Sequence, residues 1–369
     1  MSKRVCLVSY FAWPVLSGVT VPGVSPGGEE VQHSLLAKAL AARGASVSIL
    51  VGDFGQPDEA RIQNVNVLKT FRADAGIPGL RMIHPRLTGL WNAMSKANAD
   101  TYYVSCAGSI VGYVAAFCAL HKRRFVFRVA SDADCCPERL LVSNARDRWL
   151  YEWGLPKASC ILAQTKHQQS LLKANYGLDS TLADMLVDIP EEPPGQAARD
   201  IDVLWVANLR SVKRPEWVLE LAKLLPEIGF LMAGGPYTAQ QKLFDSIKQQ
   251  ASALPNLQFL GGVPHRETGD LFGRARLFLN TSELEGFPNT YLQAWANGTP
   301  VVATFDPDGL IREKTLGRAC TELNGTAEAI RALLSETTAR IEVGLRAHRF
   351  VKDRHGTLAI RNYEQHLLR

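Results

Sequence analysis

The sequence contains no Cys-x-x-Cys pair. Its seven cysteines, Cys6, Cys106, Cys118, Cys135, Cys136, Cys160 and Cys320, are scattered, mostly within apolar runs. No His or Cys stands at metal-ligand spacing from the vicinal Cys135-Cys136, so buried free thiols in a reducing compartment are expected rather than a disulfide framework or a zinc site. A long basic block is also lacking. The 41 Lys and Arg are interspersed with 36 Asp and Glu, for a net charge of +5, which argues against nucleic acid as a partner. No Gly-x-Gly-x-x-Gly dinucleotide fingerprint occurs. Residues 101–120 carry no charge, but Thr101, Ser105, Gly108, Ser109 and Gly112 dilute the run, and a buried strand followed by a packed helix is expected there instead of a membrane span. The apolar run ending near Tyr10 is too short for a secretory signal, so a cytoplasmic protein is expected.

What is present is alternation. A chain of 369 residues suits two domains. Buried strands are expected at Val5–Val8, Val47–Val51, Val65–Leu68, Tyr102–Val104, Phe125–Val129 and Ile161–Ala163, with helices between them, the first from about Glu29 to Arg43. A loop with Pro14, Gly18, Pro22, Gly23, Pro26, Gly27 and Gly28 separates the first strand from that helix. Ile77 to Ala97 reads as mostly helical, although Pro85 interrupts it. The Pro-rich stretch Ile189–Gly195 reads as an extended connection. The grammar then restarts with strands at Val203–Val206, Phe230–Ala233, Gln258–Leu260, Leu277–Leu279 and Val301–Ala303, and a final helix from Leu358 to Leu367. Repeated β/α units of this kind build parallel sheets covered by helices.

Three places carry candidate chemistry. Gly27-Gly28 at the start of the first helix lets backbone approach a ligand and offers unpaired amides. Asn208, Arg210, Lys213 and Arg214 follow a strand, where open α/β sheets bind ligands, and the three cations suit a diphosphate. The third is Glu285-Gly286-Phe287-Pro288-Asn289-Thr290, a carboxylate beside a turn that feeds a short helix bearing Gln293. That helix stops at Gly298, and Thr299-Pro300 launches the strand Val301-Val302. Amides at the helix start suit an anion and the flanking polar groups suit hydroxyls, a combination that points to a nucleotide-sugar.

These residues resemble glycosyltransferase family 4. The family pattern runs Glu, seven residues, Glu, with a Glu-Gly-Phe-Gly turn and a closing Gly-x-Pro-Val-Val; the Gly27-Gly28-Glu29-Glu30 loop is similar to its N-terminal Gly-Gly-Ala-Glu. The resemblance implies a GT-B fold: two Rossmann-like β/α/β domains facing across a cleft, an acceptor domain over residues 1–190, a donor domain over 199–350, and a C-terminal helix over 351–369 crossing back. It implies a retaining enzyme that moves a hexose from a nucleotide-diphosphate sugar to a hydroxyl of a glycan or lipid-linked acceptor, in cell-surface polysaccharide or glycoconjugate synthesis. No cofactor and no metal are expected. Lys213, Arg210 and Glu285 would be catalytic. Gly28, Asn208, Gly286, Phe287, Asn289, Thr290 and Gln293 would bind the donor, and Gly27, Asp132 and Asp134 would contact acceptor or sugar.

The sequence departs from the family pattern at three points: Gln293 replaces the second Glu, Asn208 replaces an Arg for which Arg210 would stand in, and Pro288 removes a backbone donor. Two alternatives stay open: an epimerase or phosphorylase of the same architecture, and a catalytically weak binding subunit, which these departures keep alive. Basic and apolar residues over 79–96 would allow peripheral contact with the inner face of a membrane, against a plain reading as a helix packed on its own sheet.

Overall fold

The computed structural model describes residues 3–21, 24, 27–237 and 240–369. Of the loop expected before the first long helix, Pro22, Gly23 and Pro26 lie outside the described residues. The chain divides into two compact units, one of residues 1–186 with 357–369 and one of residues 187–356.

The first unit contains β1 (Arg4–Val8), β2 (Ser46–Val51), β3 (Glu59–Ile62), β4 (Val65–Lys69), β5 (Thr101–Ser105), β6 (Arg124–Arg128), β7 (Cys160–Ala163) and β8 (Thr181–Leu182). They form one sheet in the order β3-β4-β2-β1-β5-β6-β7-β8. All neighbours are parallel except β3 and β4. Its helices include α1 (Trp13–Ser17), α2 (Gly28–Ala42), α3 (Thr88–Ala97), α4 (Ser109–His121), α5 (Ala145–Gly154) and α6 (Lys166–Tyr176). Apolar side chains on both sheet faces explain the near-continuous hydrophobic strands: one core packs Tyr102, Val104 and Phe127 with Val114 and Phe117, the other packs Val5, Leu7 and Ile49 with Leu36 and Leu40. The uncharged run is β5 followed by α4, and no helix among the described residues is long and apolar enough to cross a membrane.

The stretch expected to be mostly helical is so from Met82: an irregular π-type turn spans Met82–Leu87, bent at His84 before Pro85, and regular helix follows from Thr88, while residues 76–81, 83 and 84 are exposed. Leu90, Ala93 and Met94 give α3 its buried face, whereas the preceding turns have no comparable stripe to pack.

The second unit contains β9 (Ile201–Val206), β10 (Phe230–Ala233), β11 (Leu257–Gly261), β12 (Ala275–Asn280), β13 (Val301–Ala303) and β14 (Gly317–Ala319). Their order is β11-β10-β9-β12-β13-β14, all parallel. Around them lie α7 (Glu216–Leu224), α8 (Gln241–Ala251), α9 (His265–Arg274), α10 (Asn289–Ala296), α11 (Leu310–Glu313), α12 (Leu323–Ser335) and α13 (Thr337–Arg354). The Pro-rich connection belongs to this unit, and the ring of Pro193 packs beside Gly298. Because α13 stays packed on α10, the segment that joins the first unit is 357–369 rather than 351–369.

That segment forms α14 (Thr357–Leu367). Ala359, Tyr363 and Leu367 enter the core beside Leu36 and Leu40, burial worth about 1.5–3 kcal/mol for a large apolar side chain. Glu364 receives both Nε and Nη2 of Arg43 from the end of α2.

Candidate active site

In the second sheet, strand order reverses beside β9, whose neighbours are β10 and β12. Ligands of open α/β sheets bind at the carboxyl ends of strands flanking such a reversal. The loop after β9 carries Asn208, Arg210 and Lys213, and the loop after β12 carries Glu285, so two segments 72 residues apart meet at the expected place.

Their contacts are specific. Lys213 Nζ pairs with Glu285 Oε1, with the two side chains only 20% and 13% exposed. The Glu283 N–H donates to the Val212 carbonyl at 2.9 Å. Thr281 Oγ1 accepts from Trp205 Nε1 at 3.0 Å and donates to the Lys213 carbonyl at 2.6 Å. Arg214 Nε donates to the Thr281 carbonyl at 2.7 Å, while its guanidinium lies 4.2 Å over the Trp217 ring. Sequence reasoning missed Thr281, and it grouped Arg214 with the cations suited to a diphosphate without seeing its part as a strut of this site. Their signal was position alone: a hydroxyl directly after β12 and a cation in the loop after β9, segments that the fold must bring together.

The structure places Arg210 differently from Lys213. Its guanidinium lies 4.9 Å over the ring of Tyr237, from the loop after β10, while Lys213 is the one paired with Glu285. Gly286 and Phe287 continue the turn, and the Phe287 ring lies 5.7 Å from His355 and 6.3 Å from Trp295. Pro288 is the cap of α10. Tyr291, Leu292, Ala294, Trp295 and Ala296 bury the inner face of this helix, leaving Asn289, Thr290 and Gln293 half-buried on the other. Asn289 and Gln293 are four residues apart and therefore share a face. Glu285 stands four residues before Asn289 at the helix start, where amides and the helix dipole favour an anion.

Among the described residues, no cluster of three His, Cys, Asp or Glu is arranged to hold a metal. Asp306, in the Asp-x-Asp sequence after β13, accepts from the Ile311 N–H at 2.7 Å and so starts α11.

In the first unit, Gly27 and Gly28 stand at the start of α2, and the Gly27 N–H donates to Glu30 Oε2 at 2.7 Å. The two carboxylates after β6 differ. Asp134 is committed to its turn, accepting from the Ala130 and Ser131 N–H groups at 2.9 and 3.2 Å, and burial pushes its pKa up to about 6. Asp132 accepts from Gln168 Nε2 at 3.0 Å and lies 4.0 Å from His167 Nε2.

Nearby, His33 is fully buried on α2, with Nδ1 3.1 Å from Glu29 Oε1, its ring 5.1 Å from Tyr103, and Nε2 without a partner. Burial lowers its pKa from 6.5 to about 3. An unfolded chain therefore takes up this proton at a higher pH than the folded one. The contribution of neutral His33 to stability is complete above about 6.5 and is lost as pH falls toward about 3, at about 1.4 kcal/mol per pH unit. In urea titrations over this window, His33→Phe is expected to flatten the acid limb of stability by about one proton. An unaltered limb would assign acid sensitivity to other groups.

Two α/β units built on largely parallel sheets are the architecture of the GT-B class of glycosyltransferases. The family models agree. Residues 27–186 match the glycosyl transferase 4-like domain and residues 200–336 match glycosyl transferases group 1. The chain belongs to the family 4 type of glycosyltransferases. A D-inositol 3-phosphate glycosyltransferase of Mycobacterium tuberculosis is 29% identical over 163 residues, 40% of this chain and 34% of that protein; the match thus spans about a third of the length of the curated relative. Sucrose-phosphate synthase from Thermosynechococcus elongatus superposes with a TM-score of 0.79 at 18% identity, covering 99% of this chain and 98% of the other. Anabaena HepE in complex with UDP and glucose gives a TM-score of 0.74 at 16% identity, again covering 99% and 98%. At these identities the structural likenesses establish the fold.

Proposed function

We propose that the protein is a retaining glycosyltransferase that moves a hexose from a nucleotide-diphosphate sugar to a hydroxyl of a glycan or lipid-linked acceptor, in polysaccharide or glycoconjugate synthesis. The observation that carries this reading is the Lys213–Glu285 pair at the switch point beside the start of α10. The anomeric C–O bond breaks with its electron pair leaving on the diphosphate. Lys213 and the amides opening α10 stabilise that charge, a task for which no metal is required. The sugar passes through an oxocarbenium-like state. The acceptor oxygen attacks from the face the diphosphate leaves, and its proton passes to the departing phosphate. Glu285 orients the sugar through its hydroxyls, and Gln293, which can both accept and donate, holds the ribose. A neighbour holding UDP and glucose supports a nucleotide-sugar donor, and a relative named as a glycosyltransferase supports sugar transfer.

The test is a thermal-shift panel of UDP-, GDP-, ADP- and TDP-sugars. A true donor at 100 times its Kd stabilises the native state by about 2.7 kcal/mol, a rise of about 5–10 °C for a domain of this size. A panel in which no donor moves the melting curve would reject the reading.

A further inference from the structure

The first unit carries a surface that neither its sheet nor the transfer chemistry uses. Ile77, Leu80 and Ile83 are 68%, 60% and 52% exposed within one irregular segment. On α5, Arg146, Trp149 and Trp153 follow at three- and four-residue spacing and so lie along one face. Trp149 and Trp153 are 60% and 37% exposed, their rings stacked 6.1 Å apart, with Lys157 Nζ 4.0 Å from the Trp153 ring. A cavity of about 260 Å³ joins the two segments, lined by Arg81, Met82, Arg86, Arg146 and Asp147 among others. Three guanidiniums face one carboxylate there. Arg146 takes that carboxylate with Nε and Nη2 at 2.9 and 2.8 Å. Arg86 donates one Nη to the Ala73 carbonyl at 3.0 Å, and its Nε is buried without a partner. No ion pair among the described residues holds Arg81.

We propose that this surface docks the protein on an anionic lipid bilayer. Exposed aliphatic and indole side chains on two segments that share one cavity mark an interaction surface rather than ordinary scatter. Tryptophan favours the boundary between headgroups and acyl chains, and cations interleaved with apolar side chains are the composition of an interfacial element. The excess of guanidiniums at the centre of the patch supplies the charge complement to acidic headgroups. The contact is peripheral: the surface lies on the membrane through side chains, with no spanning helix. It does not depend on the transfer reading, because it requires no donor and no acceptor.

The experiment is co-sedimentation of the full chain with phosphatidylcholine vesicles, with and without phosphatidylglycerol, at low and high salt. The expected result is partition onto the phosphatidylglycerol vesicles only, reversed by salt, with a blue shift of tryptophan emission. Arg81→Gln should weaken partition about five-fold, the weight of one cation near an anionic surface. Trp149→Ser should lose most of the blue shift. Both positions are exposed, so melting curves should match wild type. Absence of sedimentation, equal partition onto neutral vesicles, or variants that bind and shift like wild type would each overturn the proposal. A failed donor panel would leave these outcomes untouched, so the two readings fail separately.

Discussion

Lys213→Ala is expected to lower turnover by about 10²–10³-fold, the usual loss when one charge-stabilising donor is removed from a preorganised site. The position of Lys213 is determined by more than its own side chain. Its carbonyl accepts from Thr281, its neighbour Val212 accepts from Glu283, and Arg214 ties back to the Thr281 carbonyl. Truncation at Lys213 leaves that frame intact. It removes a charge while the loop stays in place, so kcat should fall more than KM rises, the mark of an interaction made mainly in the transition state. The cost to folding should exceed that of a surface pair, about 3 kcal/mol, because Glu285 is only 13% exposed and loses its counter-charge. Lys213→Arg retains charge but replaces a compact ammonium by a planar fork, and should recover only part of the rate. Because Lys213 and Glu285 touch, Lys213→Ala and Glu285→Gln should be non-additive in turnover. Steady-state kinetics with the donor found by thermal shift measures all three. An unaltered rate for Lys213→Ala would place the diphosphate elsewhere.

The strands were legible because parallel strands buried on both faces read as short apolar runs, and both sheets contain the expected ones. The helix after Glu285 was legible for a different reason. Its stop, Gly298, has φ of +64°, the left-handed conformation that glycine adopts without strain. Spatial order was less accessible. Nothing local in Val203–Val206 says that its neighbours are β10 and β12, and so nothing local says that Lys213 will meet Glu285. The edge strand β3 was missed because its hairpin turns through Gln63 and Asn64, both at positive φ, without the glycine that signals such turns. The segment before α3 is helical only as an irregular turn over Met82–Leu87, and its isoleucines and leucine find no sheet to cover. Asp134 shows the limit for single residues. A carboxylate after a strand looks the same in sequence whether it meets a ligand or closes its own turn, and here two backbone N–H groups occupy it.

Gly344→Ala is expected to destabilise the second unit, against the propensity of its own helix. In an exposed helix interior this change gains about 0.5–1 kcal/mol. Here Gly344 of α13 faces the turn that ends α10. A Cβ would fall within contact distance of the Gly298 carbonyl oxygen and 3.0 Å from its carbon, both backbone atoms with no rotamer to change. Nor can α10 retreat. His348 Nδ1 donates to the Ala296 carbonyl at 2.7 Å, and the buried Arg199 donates to the Asn297 carbonyl at 2.7 Å and to Thr299 Oγ1 at 2.8 Å. These donors satisfy the carbonyls that a helix leaves unpaired at its carboxyl end. Any lift of α13 pulls His348 off that end. Overpacking of a fixed contact costs about 3 kcal/mol at the upper end of its usual range, a fall in Tm of about 6–12 °C. The displacement reaches the site as well, since α10 carries Asn289, Thr290 and Gln293, and the thermal shift produced by the donor should shrink in parallel. Differential scanning calorimetry with and without donor reads both effects. A Gly344→Ala protein that melts at or above wild type would mean that propensity outweighs the contact and that α13 does not fix α10.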